Sequence, residues 1–161
     1  MLMKGFGENQ TKEFSETVVQ INRISKKTKG GNQIRFSALV VVGDKKGKVG
    51  IGLSKAGDVR NAINKAITAA KKRMVKIPLK GTTIPYSVRE KFSAAQIYLK
   101  PAPPGSGIIA GGPVRVVLEA AGIRDASAKI LGTENKISNV YATLKALETI
   151  SSLSENKIKG K

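Results

Sequence analysis

Two residue types that carry much of protein chemistry are missing from this 161-residue chain, which has no cysteine and no histidine. Without cysteine the chain cannot form a disulfide framework or use a thiol nucleophile, and without either residue it cannot build a Cys/His zinc site. The absence of imidazole also excludes a Ser-His-Asp triad. Any catalysis would therefore need a carboxylate pair or a metal held by carboxylates.

Acidic side chains are scarce as well, and they are scattered. The chain has 11 of them, and Asp44, Asp58, Glu119 and Asp125 lie far apart in the sequence without forming a cluster. An enzyme acting on RNA or nucleotides would need such a cluster. We therefore predict that the protein is not an enzyme, and that it holds no cofactor and no metal ion.

Long apolar stretches are also absent. The run Ala38–Val42 is far shorter than a membrane span. The amino-terminal segment MLMKGFGENQ lacks the apolar core of a secretory signal. We expect a soluble, cytoplasmic protein that has no membrane partner.

The chain has a large excess of positive charge. Lys and Arg number 29 against 11 Asp and Glu, which gives a net charge of +18. Residues 1–80 hold 18 of the basic side chains and only five of the acidic ones. A surplus of this size favours a polyanionic partner, most commonly a nucleic acid, because neutralising phosphates releases counterions. The uneven distribution suggests two modules, the first in wider contact with the polyanion.

The first half has the pattern of a small antiparallel sheet covered by a helix. Alternating apolar residues predict strands at 17–27, 34–42 and 49–53, with a hairpin loop at 43–47. A helix predicted over 57–76 has apolar residues on one side and lysines on the other. Such a helix can also lie on a membrane surface. Its alanine-rich face lacks aromatic anchors, so packing against the sheet is favoured.

The second half has the pattern of an α/β sandwich with helices on one face of the sheet. The predicted elements are strands 84–92, 95–100 and 126–131 and helices 113–122 and 137–150. Two prolines and a glycine make residues 76–85 the best linker between the halves. The predicted divisions are an amino-terminal extension (1–16), a first domain (17–80), a second domain (81–153) and a polar, mobile tail (154–161).

The segment NRISKKTKGG, residues 22–31, is the strongest candidate for contact with phosphates. It carries four cations and no carboxylate, and it ends in a glycine pair that permits a tight turn. An ordinary solvated hairpin loop is the alternative, but the charge around the segment favours phosphate contact. The residues predicted to bind RNA are Arg23, Ser25, Lys26, Lys27, Lys29, Gly30, Gly31, Lys45, Lys46, Lys48 and Lys55.

A glycine-rich segment, residues 105–113, precedes the first helix of the second half. It formally matches the dinucleotide fingerprint Gly-x-Gly-x-x-Ala. The fingerprint requires a strand that runs directly into the first glycine, and here the Pro-rich break 101–104 intervenes. A structural loop, a phosphate contact or a protein contact is therefore favoured over a nucleotide site.

These segments together resemble the bacterial-type family of small-ribosomal-subunit protein five. The resemblance covers about residues 18–147 and rests on the order and spacing of several segments. They are 22–31, 36–44, 47–52, 100–102, 105–115 and 131–147. The resemblance implies an α+β fold. A three-stranded antiparallel sheet on a helix, similar to a double-stranded-RNA-binding domain, is followed by an α/β sandwich with a left-handed crossover.

The resemblance also implies a function. Members of this family are structural constituents of the small ribosomal subunit that bind its ribosomal RNA and contact neighbouring proteins four and eight. They support decoding accuracy and lie near the path by which mRNA enters. The implied protein-interface positions are Gly105, Gly107, Gly111, Gly112 and Arg115. Charge alone leaves a free regulatory protein that binds double-stranded RNA as the alternative.

Overall fold

Two four-stranded sheets and three helices make up residues 14–160, the part of the chain that a computed structural model describes. In chain order the elements are β1 (Ser15–Thr28), β2 (Gly31–Gly43), β3 (Lys48–Ala56), α1 (Val59–Lys72), β4 (Val75–Lys76), β5 (Val88–Phe92), β6 (Ala95–Pro101), β7 (Ile108–Ile109), α2 (Gly112–Ala121), β8 (Ala126–Gly132) and α3 (Lys136–Lys159). The α+β class predicted from the sequence is confirmed. The predicted extension 1–16 lies almost wholly outside the described residues.

The first sheet has the order β1-β2-β3-β4 and carries α1 on one face. Alternate residues of β2, such as Val40, pack against alanines of α1, such as Ala66. The sheet has one strand more than predicted, because Val75 and Lys76 pair with the start of β3. For the same reason α1 ends at Lys72, and the prediction of a helix to residue 76 is wrong.

The second sheet has the order β5-β6-β8-β7. Strand β7, only two residues long and not predicted from the sequence, pairs in parallel with β8, and α2 connects the two. The left-handed sense of this crossover stays a prediction from the family resemblance. Helix α2 ends where predicted, at Gly122, which adopts the left-handed conformation.

One continuous core joins the two halves. The face of β2 and β3 turned away from α1 places Leu39, Val41 and Ile51 in the same cluster as Leu118 and Leu147 from the second half. The second sheet packs on α2 and α3, and α2 also contacts the first sheet. The two sequence modules therefore share buried surface instead of being joined only by a linker.

The last helix is longer than the sequence pattern indicated. Helix α3 continues to Lys159, so the prediction that the helix ends at residue 150 is wrong, and the predicted tail is helical up to that residue. No glycine or proline interrupts the segment before Gly160. The Lys157 ammonium also lies 4.5 Å from the ring centroid of Tyr86, a cation–π contact that ties the last turns to the chain before β5.

Candidate nucleic-acid and protein interfaces

The candidate RNA segment 22–31 is not a loop but the end of a long β-hairpin. Strands β1 and β2 stay paired as far as Thr28 and Gly31, so only Lys29 and Gly30 form the turn. The Thr28 hydroxyl donates to the Gly31 carbonyl oxygen at 2.9 Å, and Gly31 has a φ of +130°, which only glycine adopts readily. The predicted cations therefore occupy fixed positions on a strand ladder.

The hairpin extends past the rest of the sheet. Strand β3 pairs with β2 only from Phe36 to Gly43, so residues 24–35 form a two-stranded ribbon without a third strand. The side chains from Ser25 to Ile34 are all exposed. This hairpin ribbon, residues 24–35, is an arm that a large polyanion can contact from several directions.

The register distributes the predicted cations over both faces of the hairpin. Residues directly opposite in an antiparallel pair share a face. Arg23 pairs with Phe36, which packs on the α1 side, so Arg23, Ser25 and Lys27 lie on that side. Lys26 lies on the opposite face, and Lys29 is at the turn. The cations predicted to lie on one basic loop therefore lie on two faces of an arm and at its tip.

The other predicted RNA contacts do not join this group. Lys45, Lys46 and Lys48 lie at the far end of β2, about 40 Å from the turn at 3.3 Å per strand residue. Asp44 shapes their loop, because its carboxylate accepts from the backbone N–H of Lys46 at 2.8 Å and of Lys48 at 2.9 Å. Lys55 pairs with Ser37 near the base of the hairpin ribbon.

The loop after β2 instead docks on the second half. The backbone N–H of Lys45 donates to the Ala120 carbonyl oxygen at 3.1 Å, and that of Gly47 donates to Ala121 at 3.0 Å. These bonds satisfy carbonyl groups at the carboxyl end of α2, which have no partner within the helix. A loop from one half thus caps a helix of the other.

The junction of the two halves forms an open cleft of about 490 Å³. Its lining includes Lys45, Gly107, Arg115, Glu119 and Arg124. The Arg115 guanidinium donates to the Glu119 carboxylate at 3.0 Å, and both side chains are largely exposed. One residue predicted to bind RNA, Lys45, is therefore brought together with two residues predicted at a protein interface, Gly107 and Arg115.

The remaining glycines of the predicted protein interface are not among the residues that line this cleft. Gly111 lines a second cleft, of about 510 Å³, together with Pro113, Ile130 and Lys136. A Cβ at Gly111 would lie 2.6 Å from the Ile130 side chain, so its absence allows β8 to pack closely. Gly105 and Gly112 face open space. Of the five predicted interface residues, two therefore line the first cleft and one lines the second.

Asp125 is a structural carboxylate that the sequence analysis did not assign. It is buried just before β8, and it accepts from the backbone N–H of Gly107 at 2.9 Å. A hydrogen bond from the Thr82 hydroxyl, then those from the backbone N–H groups of Gly107 and Gly105, hold its pKa below the ordinary value, with a smaller contribution from Arg124. Only its position ahead of an apolar strand was visible in the sequence, because its partners are 18 residues or more away.

We expect Asp125→Asn to destabilise the protein at neutral pH and to reduce the loss of stability that occurs as the pH is lowered. A lowered pKa means that the carboxylate stabilises the fold at neutral pH, and that this contribution is lost as the pH falls through the lowered value. Urea unfolding at pH 7 and at successively lower pH measures both effects. Asp58→Asn is the control, because its exposed side chain caps no helix hydrogen bond. Equal midpoints for the two variants at every pH would contradict the assigned role.

The described residues contain neither a cluster suited to a metal ion nor a helix that could span a membrane. In residues 14–160, no three His, Cys, Asp or Glu side chains lie close enough to hold a metal ion. None of the helices described above is both long and apolar enough to cross a membrane.

Comparison with known proteins gives matches along most of the chain. A family model described as Ribosomal protein S5, N-terminal domain, matches residues 14–78, and one described as Ribosomal protein S5, C-terminal domain, matches residues 90–159. The chain is also similar to a protein of Chloroflexus aurantiacus named Small ribosomal subunit protein uS5. The two are 51% identical over 146 residues, which cover 91% of this chain and 82% of that protein.

Proposed function

The chain belongs to the ribosomal protein S5 family, and from this premise we propose that it binds small-subunit ribosomal RNA through the hairpin ribbon and neighbouring proteins through the junction cleft. It is a structural constituent of the small ribosomal subunit in the cytoplasm, and it is not an enzyme. We further propose that it contacts small-subunit proteins four and eight, supports decoding accuracy and lies near the path by which mRNA enters.

The exposed hairpin ribbon is the observation that carries the RNA proposal. Basic side chains lie on both of its faces and at its turn, and the adjoining Lys55 extends the surface towards the sheet. Proteins recognise double-stranded RNA mainly by shape and through contacts to phosphates and 2′-hydroxyls, which requires few aromatic residues. We assign Lys45, Lys46 and Lys48 to a second contact at the opposite end of β2.

The junction cleft supports the protein-contact proposal. Gly107 and Arg115 match family positions at the interface with protein four, and here they line one cleft with Lys45. Arg115 is exposed and already paired with Glu119, so a partner could exchange ion pairs with both side chains. Substitutions of Gly107 and Arg115 are proposed to alter decoding accuracy through the neighbouring protein and not through loss of RNA binding.

We predict that Lys26→Glu combined with Lys29→Glu weakens RNA binding and flattens its salt dependence. Each phosphate contact contributes about 0.9 to the slope of log K against log salt, so the loss of two contacts lowers it by about two. Filter binding to a small-subunit ribosomal RNA transcript between 50 and 200 mM salt (roughly the range over which such slopes are large) measures the effect.

Lys136→Glu combined with Lys159→Glu is the matched control, since it makes the same change of net charge on exposed positions of α3. The control tests whether net charge alone sets the slope. If both double variants show the same slope, the hairpin ribbon is not a specific contact.

A further inference from the structure

The second sheet has an exposed basic face that none of the contacts proposed above uses. Strand alternation places Ile97 and Leu99 in the core and turns the residues between them outwards. The outward residues of β5, β6 and β8 are Arg89, Lys91, Gln96, Tyr98, Lys100, Ser127, Lys129 and Leu131. None of these is acidic. Every charged residue among them is therefore basic, although the second half carries only a modest charge surplus.

Tyr98 lies at the centre of this face. Its cross-strand neighbours are Arg89 on β5 and Lys129 on β8, and Lys100 is two residues along the same strand. The tyrosine is 41% exposed, which leaves its ring accessible from solution. The Arg89 guanidinium donates to the Gln96 side chain at 3.2 Å, which holds it on this face of the sheet.

The fold itself does not explain this arrangement. Helices α2 and α3 pack on the core side of the sheet, and unpaired cations on one face repel one another. A surface that served solubility alone would intersperse charges of both signs. The cations and the exposed ring therefore point to a ligand with negative charge and a flat apolar surface.

We propose that this face binds a segment of single-stranded RNA, with one base stacked on Tyr98 and the flanking phosphates neutralised by Arg89, Lys100 and Lys129. Bases inside a duplex are already stacked on their neighbours, so an exposed aromatic ring on a sheet favours an unpaired base as its ligand. The site shares no residue with the hairpin ribbon or the junction cleft, so it stands independently of the proposed function.

Variants of Tyr98 test the proposal on the full chain. Tyr98→Leu removes the ring and should weaken binding of a fluorescein-labelled oligouridylate by about 5- to 150-fold, the range for loss of one base-stacking contact. Tyr98→Phe keeps the ring and should bind as the wild type does. Fluorescence anisotropy measures both. Binding of a perfectly paired RNA hairpin should be the same for all three proteins.

A charge variant gives a second, independent readout. Lys100→Glu combined with Lys129→Glu should lower the salt slope for oligouridylate by about 1.4, since each phosphate contact to a single strand contributes about 0.7. Oligouridylate binding that is unchanged by Tyr98→Leu overturns the proposal, as expected if the face binds a protein instead. Equal losses for Tyr98→Leu and Tyr98→Phe also overturn it. The proposal that the hairpin ribbon binds ribosomal RNA fails separately, if the Lys26→Glu and Lys29→Glu double variant leaves the salt dependence of ribosomal RNA binding unchanged.

Discussion

Replacement of Gly122 by alanine is expected to lower the free energy of unfolding by about 3 kcal/mol or more. Gly122 ends α2 at a φ of +89°, a conformation that is unfavourable for alanine. A Cβ at this position would also overlap the carbonyl group of Lys45, in the loop that caps α2. The alanine would therefore strain the helix end and push the two halves apart.

Urea unfolding measures this effect, and Gly105 provides a matched control. Gly105 has the same φ of +89°, but a Cβ there would meet no heavy atom within 4 Å. Gly105→Ala therefore reports the backbone strain alone, expected to be about 1–2 kcal/mol. The difference between the two variants measures the contact between the halves. If the two variants are equally stable, the overlap with Lys45 does not contribute.

Gly52→Ala is expected to be comparably destabilising, for a purely steric reason. A Cβ on Gly52 would overlap the carbonyl oxygen of Ala66, because α1 crosses β3 in direct contact with its backbone. Inserting a methyl group into such a site costs about 3 kcal/mol at the upper end of the usual range. For a chain of this length, that corresponds to a decrease in Tm of roughly 6–12 °C.

Thermal unfolding of Gly52→Ala is best compared with that of Gly57→Ala. Gly57 follows β3 and precedes α1, and a Cβ there would meet no heavy atom within 4 Å. We expect Gly57→Ala to leave the Tm close to that of the wild type. A Gly52 variant as stable as the Gly57 variant would show that α1 does not pack against the strand as described.

The sequence predicts those elements that have a strong apolar period. The alternation in β2 and the three- and four-residue spacing in α1 identified both, and Gly122 identified the end of α2. Strands β4 and β7 have only two residues each, so no period can reveal them, and they exist because β3 and β8 offer free backbone groups. The end of the hairpin ribbon, residues 28–33, was also missed, because these residues are polar or glycine and show no apolar alternation.

The candidate sites were harder to predict than the fold. Residue types and local charge identified the cations of the first half, but only the strand register shows that Lys26 and Lys27 lie on opposite faces. The junction cleft joins positions about 70 residues apart, Lys45 and Arg115, and its formation depends on glycines that allow close approach. Such approaches depend on tertiary packing, which no local pattern records.

The position of the hairpin ribbon has a consequence for how this protein can evolve. Within residues 24–35 the two strands pair only with each other, and the exposed side chains of this arm contribute little to the shared core. Substitutions of these exposed side chains are therefore expected to leave the rest of the fold intact. Under the proposed RNA contact, selection can therefore adjust the RNA affinity of the arm separately from stability, whereas a change at the capped end of α2 alters the stability of the fold.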